Sequence, residues 1–288
     1  MYNLRYHIAS LVAVFLALTI GLVLGSVVAE RGTIGDQTSI IVQDLQKQFD
    51  AMQQENRALR EQLQHDRAFA QEAVPVLTAE ALRGKTVGVL VNSGRSSGLE
   101  AVTTSIEQAG GTPVVFTFEK PMLGLDIATP EGLSGMLGQD VGGTPDAILE
   151  AVASRMAGEW LRQGERPVTD LLVDDGELSV DGATATATVD ACVVMASFSG
   201  EPDSAAMAIA KAFDGSGVVV TGVEATNQAT GVAAEAVDAG FSAVDHVDTP
   251  AGAFSLVWVL SGRATGYYGL GTGSDGAYPP LEAKPARS

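Results

Sequence analysis

The longest hydrophobic run in the chain lies near its N-terminus. Ile8 to Ala29 reads IASLVAVFLALTIGLVLGSVVA and contains no charged residue. A helix of about 22 residues, at 1.5 Å per residue, crosses the roughly 30 Å hydrocarbon core of a bilayer. A signal-peptide core is typically about 7–15 residues long, although Val27-Val28-Ala29 loosely resembles a cleavage site. We therefore interpret residues 1–30 as a cytoplasmic tip and an uncleaved transmembrane anchor.

The charges that flank this run predict the orientation of the anchor. Arg5 and the terminal amine precede the run, whereas Glu30 and Arg31 follow it and cancel. By the positive-inside rule, the N-terminus lies in the cytoplasm and residues 31–288 lie outside. The sequence thus predicts a single-pass protein of the cytoplasmic membrane whose bulk is extracytoplasmic.

A heptad repeat follows the anchor. Residues 37–73 contain no Gly or Pro, and seven of nine a and d positions are apolar. The amide of Asn56 at an a position is typical of parallel two-stranded coils. We predict a coiled-coil stalk over residues 31–76 that forms a parallel homodimer and that Pro75 ends. An amphipathic helix lying on its own domain is the alternative. The predicted interface residues are Val42, Leu45, Phe49, Met52, Asn56, Leu59 and Leu63.

Beyond Gly84, short apolar runs rich in β-branched residues alternate with helical stretches. The predicted strands are Thr86–Val91, Val114–Phe118, Cys192–Ser197, Val218–Val223 and Phe241–Val247. The predicted helices are Leu99–Ala109, one that begins at Thr144-Pro145, Ser204–Phe213, and one from Thr249-Pro250 to Leu260. This alternation is typical of an α/β fold with a mostly parallel sheet covered by helices on both faces. We predict such a Rossmann-like extracytoplasmic domain over residues 84–270.

One segment of this domain departs from the alternation. Asp175-Gly176 and Asp181-Gly182 are turn signals between short alternating runs in residues 170–190. We predict a small β-meander insertion there.

Composition and charge exclude several classes of function. The net charge of −18 argues against nucleic acid as a partner, because phosphate binding needs clustered Lys and Arg. The single cysteine excludes an intrachain disulfide and a cysteine-rich metal site. Residues 171–262 hold 13 acidic residues, such as Asp203, against one basic residue, Lys211. We interpret most of these acids as belonging to solvated turns.

Two glycine motifs match catalytic or nucleotide-binding signatures in residue type and spacing alone. Gly94-Arg95-Ser96-Ser97-Gly98 matches a nucleophile elbow, but Asp245 and His246 are adjacent and would point to opposite faces of a strand. A helix N-cap or an anion-binding loop explains this motif better. Gly271-x-Gly273-x-x-Gly276 lacks a strand before it and a helix after it. We predict that the chain is not an enzyme and that residues 271–288 form a flexible C-terminal tail.

Metal ligands are scarce in the sequence. Cys192 and Met195 lie three apart on one apolar strand, which places them on opposite faces in the core. His246 with Asp248 is a weak candidate pair for a divalent cation. The sequence therefore predicts no cofactor and no tight copper site.

Two blocks of sequence resemble one family. LRYHIASLVAVFLALTIGLVLGS at residues 4–26 and VDHVDTPAGAFSLVWVLSGRATGYYGLG at residues 244–271 are similar to the two ends of the actinobacterial copper transport protein B (MctB) family. The resemblance implies an envelope protein of an actinobacterium and, by the family name, copper efflux or homeostasis. Relatives of the SteB type imply cell separation beside a membrane partner. The resemblance implies no catalytic residue.

The residues favour one of these implied functions. One predicted span is too little for a channel, which needs a helix bundle or a closed barrel. A coiled-coil stalk that holds the acidic domain of residues 84–270 away from the membrane suits a non-enzymatic scaffold. Such a scaffold would present this domain, the head, to an envelope or membrane protein. Copper handling, with copper as a possible ligand, is the alternative.

Overall fold

The structure is a computed structural model. It describes residues 4–30, 33–94, 98–127, 131–137, 144–182, 184, 187–226 and 230–281. The chain divides into two units, residues 1–66 and residues 67–288.

The first helix, α1 (Leu4–Glu30), contains the apolar run. Its segment Tyr6–Val28 has a mean hydropathy of 2.7, and none of its side chains is buried. Within the described ranges it is the helix that is long and apolar enough to cross a membrane. Exposed apolar side chains on every side of a helix are what a lipid environment requires, so this finding confirms the predicted N-terminal apolar helix.

The second helix, α2 (Thr33–Thr78), is 46 residues long and passes from the first unit into the second. The prediction that Pro75 ends this helix is wrong, because Pro75 lies inside it. A proline removes one hydrogen bond to the carbonyl four residues earlier, but a helix can continue past it. Here it continues for three residues, with the Thr78 hydroxyl donating to the Val74 carbonyl oxygen at 2.8 Å, and Glu80 then adopts a left-handed φ of 63°.

The second unit is built from alternating strands and helices. Its strands are β1 (Thr86–Asn92), β2 (Thr112–Phe118), β3 (Leu178–Asp181), β4 (Ala191–Val194), β5 (Ser197–Phe198), β6 (Glu201–Pro202), β7 (Val219–Val223), β8 (Ser242–Val244) and β9 (Tyr267–Tyr268). Its helices are α3 (Leu99–Gln108), α4 (Leu133–Leu137), α5 (Pro145–Trp160), α6 (Pro167–Asp174), α7 (Ser204–Asp214), α8 (Val232–Asp238) and α9 (Pro250–Leu260). The hydroxyls of Thr144 and Thr249 cap α5 and α9 before a proline at the first helical position, as the sequence predicts.

Seven strands form one central sheet in the order β3-β2-β1-β4-β7-β8-β9. All neighbouring pairs are parallel except β2 with β3. In the longest pairing, Thr86 lies opposite Thr112 and Asn92 lies opposite Phe118. This order confirms the predicted α/β class with a mostly parallel sheet. β5 and β6 pair separately as a short antiparallel ribbon.

Helices cover both faces of the sheet. One hydrophobic core includes Trp160 of α5 and Phe213 of α7, and the rings of Trp160 and Phe116 meet edge to face at 4.7 Å. The other core includes Ile106 of α3 and Leu256 of α9. Burial of both strand faces explains why the strand sequences are continuously apolar.

The predicted β-meander over residues 170–190 is wrong. Residues 167–174 form α6, and Asp175-Gly176 ends this helix, with Gly176 at a φ of 70°. β3 is a single antiparallel edge strand beside β2. A Gly that adopts a left-handed conformation serves a helix end and a hairpin equally well, so the turn signal alone does not distinguish them.

Candidate site at the carboxyl edge of the sheet

Polar side chains gather where the parallel strands end. Asn92 ends β1, Ser197 begins β5 three residues after the end of β4, Glu224 follows β7 and Asp245 follows β8. Ligand sites in open α/β sheets lie outside the carboxyl ends of the strands. This edge of the sheet is therefore the candidate functional site.

Asp245 is the most extensively hydrogen-bonded side chain of this group. It is 4% exposed, and its carboxylate accepts four hydrogen bonds, each 2.7 Å long. Oδ1 faces His246 Nδ1 and accepts from the Leu270 backbone N–H, whereas Oδ2 accepts from the Tyr267 hydroxyl and the Gly271 backbone N–H. A carboxylate that accepts this many bonds is a strong point of attachment, because bonds to charged groups are stronger than neutral ones. It fastens residues 267–271 to the end of β8.

The conformation of His246 makes its contact with Asp245 possible. β8 ends at Val244, and His246 adopts a left-handed φ of 52°. The expectation that Asp245 and His246 point to opposite faces is wrong, because strand alternation does not extend beyond Val244. The His246 side chain is 32% exposed, whereas that of Asp245 is 6% exposed.

The hydrogen bonds determine the electrostatics of this cluster. Burial alone would raise the pKa of Asp245, but the bonds from Tyr267, Leu270, His246 and Gly271 outweigh it and lower the pKa below its ordinary value. Burial raises the pKa of Tyr267, and its bond to Asp245 and the charges of Asp245 and Glu224 raise it further. Asp245 is therefore an anion and Tyr267 a neutral donor across the physiological range.

The Asp245 carboxylate leaves no room for a side chain at two glycines of the C-terminal loop. A Cβ built on Gly269 or on Gly271 would overlap the Asp245 side chain, and Gly269 also has a φ of 143°. The Gly269 backbone N–H donates to the Gly276 carbonyl oxygen at 2.9 Å, and the Asp275 carboxylate accepts from the Tyr267 N–H at 2.9 Å. Residues 269–276 are thus hydrogen-bonded to the sheet edge, whereas the sequence predicts a flexible tail from residue 271. Of the three motif glycines, Gly271 is the one that the Asp245 side chain crowds, whereas a Cβ on Gly273 would meet no atom within 4 Å.

The two weak metal candidates, His246 and Asp248, have different partners. His246 pairs with Asp245, whereas Asp248 Oδ1 accepts from the Thr226 N–H at 2.7 Å and from the Thr226 hydroxyl at 2.8 Å. Burial would raise the pKa of Asp248, but these bonds lower it overall. In the described part of the chain, no three His, Cys, Asp or Glu side chains are grouped as a metal ion would need. The candidate pair stays a prediction.

The Gly94–Gly98 motif lies at the same edge of the sheet. Gly94 and Gly98 both have left-handed φ values, of 75° and 86°, and Ser96 lies outside the described residues. Gly98 is the N-cap of α3 and contributes no side-chain bond, so the cap is a backbone feature. A Cβ on Gly98 would press on Ala225 and lie 3.6 Å from Met195 Cε, which explains the need for glycine.

The two sulfur-containing side chains near the end of β4, Cys192 and Met195, lie in different hydrophobic cores. Cys192 is fully buried in the core that includes α5 and α7, and Met195 belongs to the core that includes α3 and α9. This confirms their predicted placement on opposite faces. Burial raises the pKa of the Cys192 thiol, so the group stays protonated and is a poor metal ligand.

Some acids have structural roles that the sequence analysis missed. Asp203 is 3% exposed, caps α7 through Ala206 N–H, and accepts from the Met122 N–H at 2.9 Å. Burial raises the pKa of Asp203, and the backbone bonds partly offset this rise. Asp203 is thus one of the acids in residues 171–262 that a solvated turn does not explain. The Asp-Ser pair before an apolar helical run is an N-cap signal that could have identified it.

In the first unit, the predicted coiled-coil residues lie along α2, and in the single chain their apolar side chains are exposed. Val42, Leu45, Phe49, Met52, Leu59 and Leu63 are 51–67% exposed. The Asn56 amide donates to the Met52 carbonyl oxygen of its own helix at 2.9 Å.

The fold and these features define a class of protein: a chain with one N-terminal membrane-length helix, a long second helix and an α/β domain with a mostly parallel sheet. The model of the family described as "Copper transport outer membrane protein, MctB" matches residues 1–122 and 127–279. The chain belongs to this family, which confirms the resemblance of its two end blocks.

Curated relatives agree with this assignment. "Copper transporter MctB" of Mycobacterium bovis and of Mycobacterium tuberculosis are each 26% identical over 309 aligned positions, which cover 95% of this chain and 98% of the relative. No solved structure matches the chain. Membership in this family, together with the apolar helix α1, indicates a single-pass membrane protein.

Proposed function

We propose that this chain acts in copper handling at the cell envelope, as a non-enzymatic dimeric scaffold anchored in the membrane. Two findings support the copper role: membership in the MctB family and curated relatives that are named copper transporters. Helix α1 supports the anchor. In this proposal the N-terminus faces the cytoplasm, and the α/β domain is an extracytoplasmic head.

The apolar row on α2 is the observation that carries the scaffold proposal. Its six apolar side chains recur at heptad spacing and are at least half exposed in the single chain. Full burial of a side chain of this size stabilises by about 1.5–3 kcal/mol, so an unpaired row is unfavourable in water. A second copy in parallel register would cover the row and place each Asn56 amide beside its mate.

The head would then present a surface rather than a copper ligand. Cys192 and Met195 are buried in separate cores, which supports a role in which another protein contacts the metal. The same paired and anchored architecture would serve the cell-separation role of the SteB type.

Copper tolerance tests the proposal. A strain of the source organism that lacks the gene would be complemented with the wild-type chain, with Leu59→Asp, or with Gln54→Asp. Leu59→Asp places two like charges at the seam, whereas Gln54 lies on the outer face of the same heptad and provides a charge-matched control. We expect Leu59→Asp to lose copper tolerance and Gln54→Asp to retain it.

Two outcomes would contradict the proposal. Full tolerance with Leu59→Asp at wild-type protein level would show that the apolar row has no role in copper handling. Unchanged copper tolerance of the deletion strain, with a defect in cell separation instead, would remove the copper role and leave the scaffold.

A further inference from the structure

A groove of about 890 Å³ lies between α5 and α7. On α5 it is lined by positions 146, 149, 150 and 153, and on α7 by positions 204, 207, 208, 211 and 212. These spacings describe one face of each helix. Glu201 and Pro202 of β6 and Glu235 of α8 complete the lining.

The floor of the groove is formed by apolar side chains. Leu149, Ala153 and Met207 are buried at its base, and the small side chains of Ala208 and Ala212 are half-buried. Two packed helices with small residues between them leave a trough that admits a third helix at close range. The shape therefore suits a helical segment.

The rim of the groove is acidic. Asp146, Glu150, Glu201 and Glu235 are exposed, and Lys211 is the basic residue of the lining. Among the described residues, none of these four carboxylates forms an ion pair. Asp146 and Glu235 lie in the first turns of α5 and α8, where the helix dipole favours an acid. Glu150 and Glu201 have no such local reason.

We propose that this groove, hereafter the α5–α7 groove, binds an amphipathic helix of a partner protein that carries Lys or Arg on both flanks of an apolar stripe. Apolar residues of the helix would pack on Ala208 and Ala212, and its cations would face the four rim carboxylates. This is recognition of a helix in a groove, with charge complementarity setting register and partner choice. The inference rests on the proposed function in one respect, since it gives the head a partner.

A second copy of the head is a poor occupant for the same electrostatic reason. A symmetric contact would bring the same acidic rims together, and like charges at close range repel. The basic partner relieves the repulsion among the four rim carboxylates, whereas a second copy increases it.

Site-specific photocrosslinking in the native membrane tests this proposal with the full-length chain. A photoreactive amino acid would replace Ala208 in the groove, or Val237 of α8 as a control that is 43% exposed and does not line the groove. Crosslinked peptides would be mapped by mass spectrometry. We expect a captured segment from Ala208 that has net positive charge and helical apolar spacing, and none from Val237.

Charge reversal supplies the matched comparison. Glu150→Lys with Glu201→Lys should lower the Ala208 crosslink yield by about tenfold, because two attractive rim charges become repulsive. Glu72→Lys with Glu107→Lys makes the same change in net charge at exposed positions outside the groove and should leave the yield unchanged. Thermal unfolding of each variant establishes that the head is folded.

Each other outcome overturns the inference. A captured segment that is neutral, acidic or from a second copy of this chain contradicts it, as does no crosslink at Ala208 or a yield that the groove reversal leaves unchanged. If Ala208 captures no basic helix while Leu59→Asp still loses copper tolerance, the groove proposal fails and the proposed function stands.

Discussion

Replacement of Asp245 by Asn is expected to release the C-terminal loop from the sheet edge. The change keeps the shape of the side chain but removes its charge and turns one acceptor oxygen into a donor NH₂. Whichever oxygen is replaced, one backbone N–H, of Leu270 or of Gly271, then meets a donor. The Tyr267 hydroxyl can rotate to accept from the new amide, but a backbone N–H cannot.

The size of the effect follows from these bonds. A buried donor left without an acceptor costs about 1–3 kcal/mol, and the remaining bonds weaken because the acceptor is no longer charged. A total of about 3 kcal/mol would lower the melting temperature of a domain of this size by roughly 10 °C.

Thermal unfolding and amide hydrogen exchange measure this effect. Asp238→Asn makes the same chemical change at an exposed position of α8 and should leave both readouts near wild type. In Asp245→Asn, exchange should accelerate at Leu270 and Gly271 first, because Asp245 protects their N–H groups directly. Wild-type protection of these two amides in the variant would refute the assignment of Asp245 as the attachment point.

The same carboxylate predicts a pH dependence. The pKa of Asp245 is lowered in the folded state, so the stability it contributes is fully present above the ordinary value of 3.8 and is lost as pH falls through the lower folded value. The difference in stability between wild type and Asp245→Asn should therefore be constant near neutral pH and shrink only below the ordinary value. A difference that shrinks between pH 8 and pH 6 would assign the effect to another group.

Three further predictions address the loop, the core and the stalk. Gly269→Ala should destabilise the head, because its Cβ would overlap Asp245, whereas Gly273→Ala meets no atom and should cost only the strain of its left-handed φ of 89°, which is less in the same melting assay. Cys192 should resist alkylation at pH 8 until the head is unfolded, because the thiol is buried and its pKa is raised; rapid labelling of the native protein would contradict this. Asn56→Ile should strengthen self-association yet permit states above the dimer, as measured by sedimentation of the detergent-solubilised chain; unchanged association would remove Asn56 from the seam.

Much of the α/β architecture could be predicted from the sequence because its strands are buried on both faces. After Thr86 at its start, the run TVGVLV has no polar side chain, so it is typical of a central parallel strand buried on both faces. The capping pairs at Thr144-Pro145 and Thr249-Pro250 placed two helix starts correctly for an equally local reason. Local chemistry decides these features, and tertiary contacts do not override it.

The attachment of the C-terminal loop could not be predicted in this way. Asp245 and Gly271 are 26 residues apart, and their contact depends on the left-handed turn at His246. A pattern of polar and apolar positions does not indicate that a histidine adopts a left-handed conformation. Gly271 was visible in the sequence, but the carboxylate that crowds it follows another strand.

The errors at Pro75 and at Asp175-Gly176 have a similar origin. A proline near the end of a long helix costs one hydrogen bond, and the continuing helix still satisfies the others. An Asp-Gly pair supplies a left-handed glycine, which ends α6 here and closes a hairpin elsewhere. In both cases the residue sets a local preference and the surrounding elements choose the outcome.

Disulfide crosslinking in the membrane tests the central claim, that α2 pairs two copies of the chain, most directly. The full-length chain would carry Leu59→Cys at a seam position or Gln54→Cys on the outer face, and the wild-type chain, whose single cysteine is buried, gives the background. Mild oxidation should convert Leu59→Cys to a covalent dimer within minutes and leave Gln54→Cys and wild type monomeric, because only seam positions bring two sulfurs within bonding distance. Equal crosslinking at both positions, or none at Leu59→Cys, would contradict the paired stalk and the scaffold built on it.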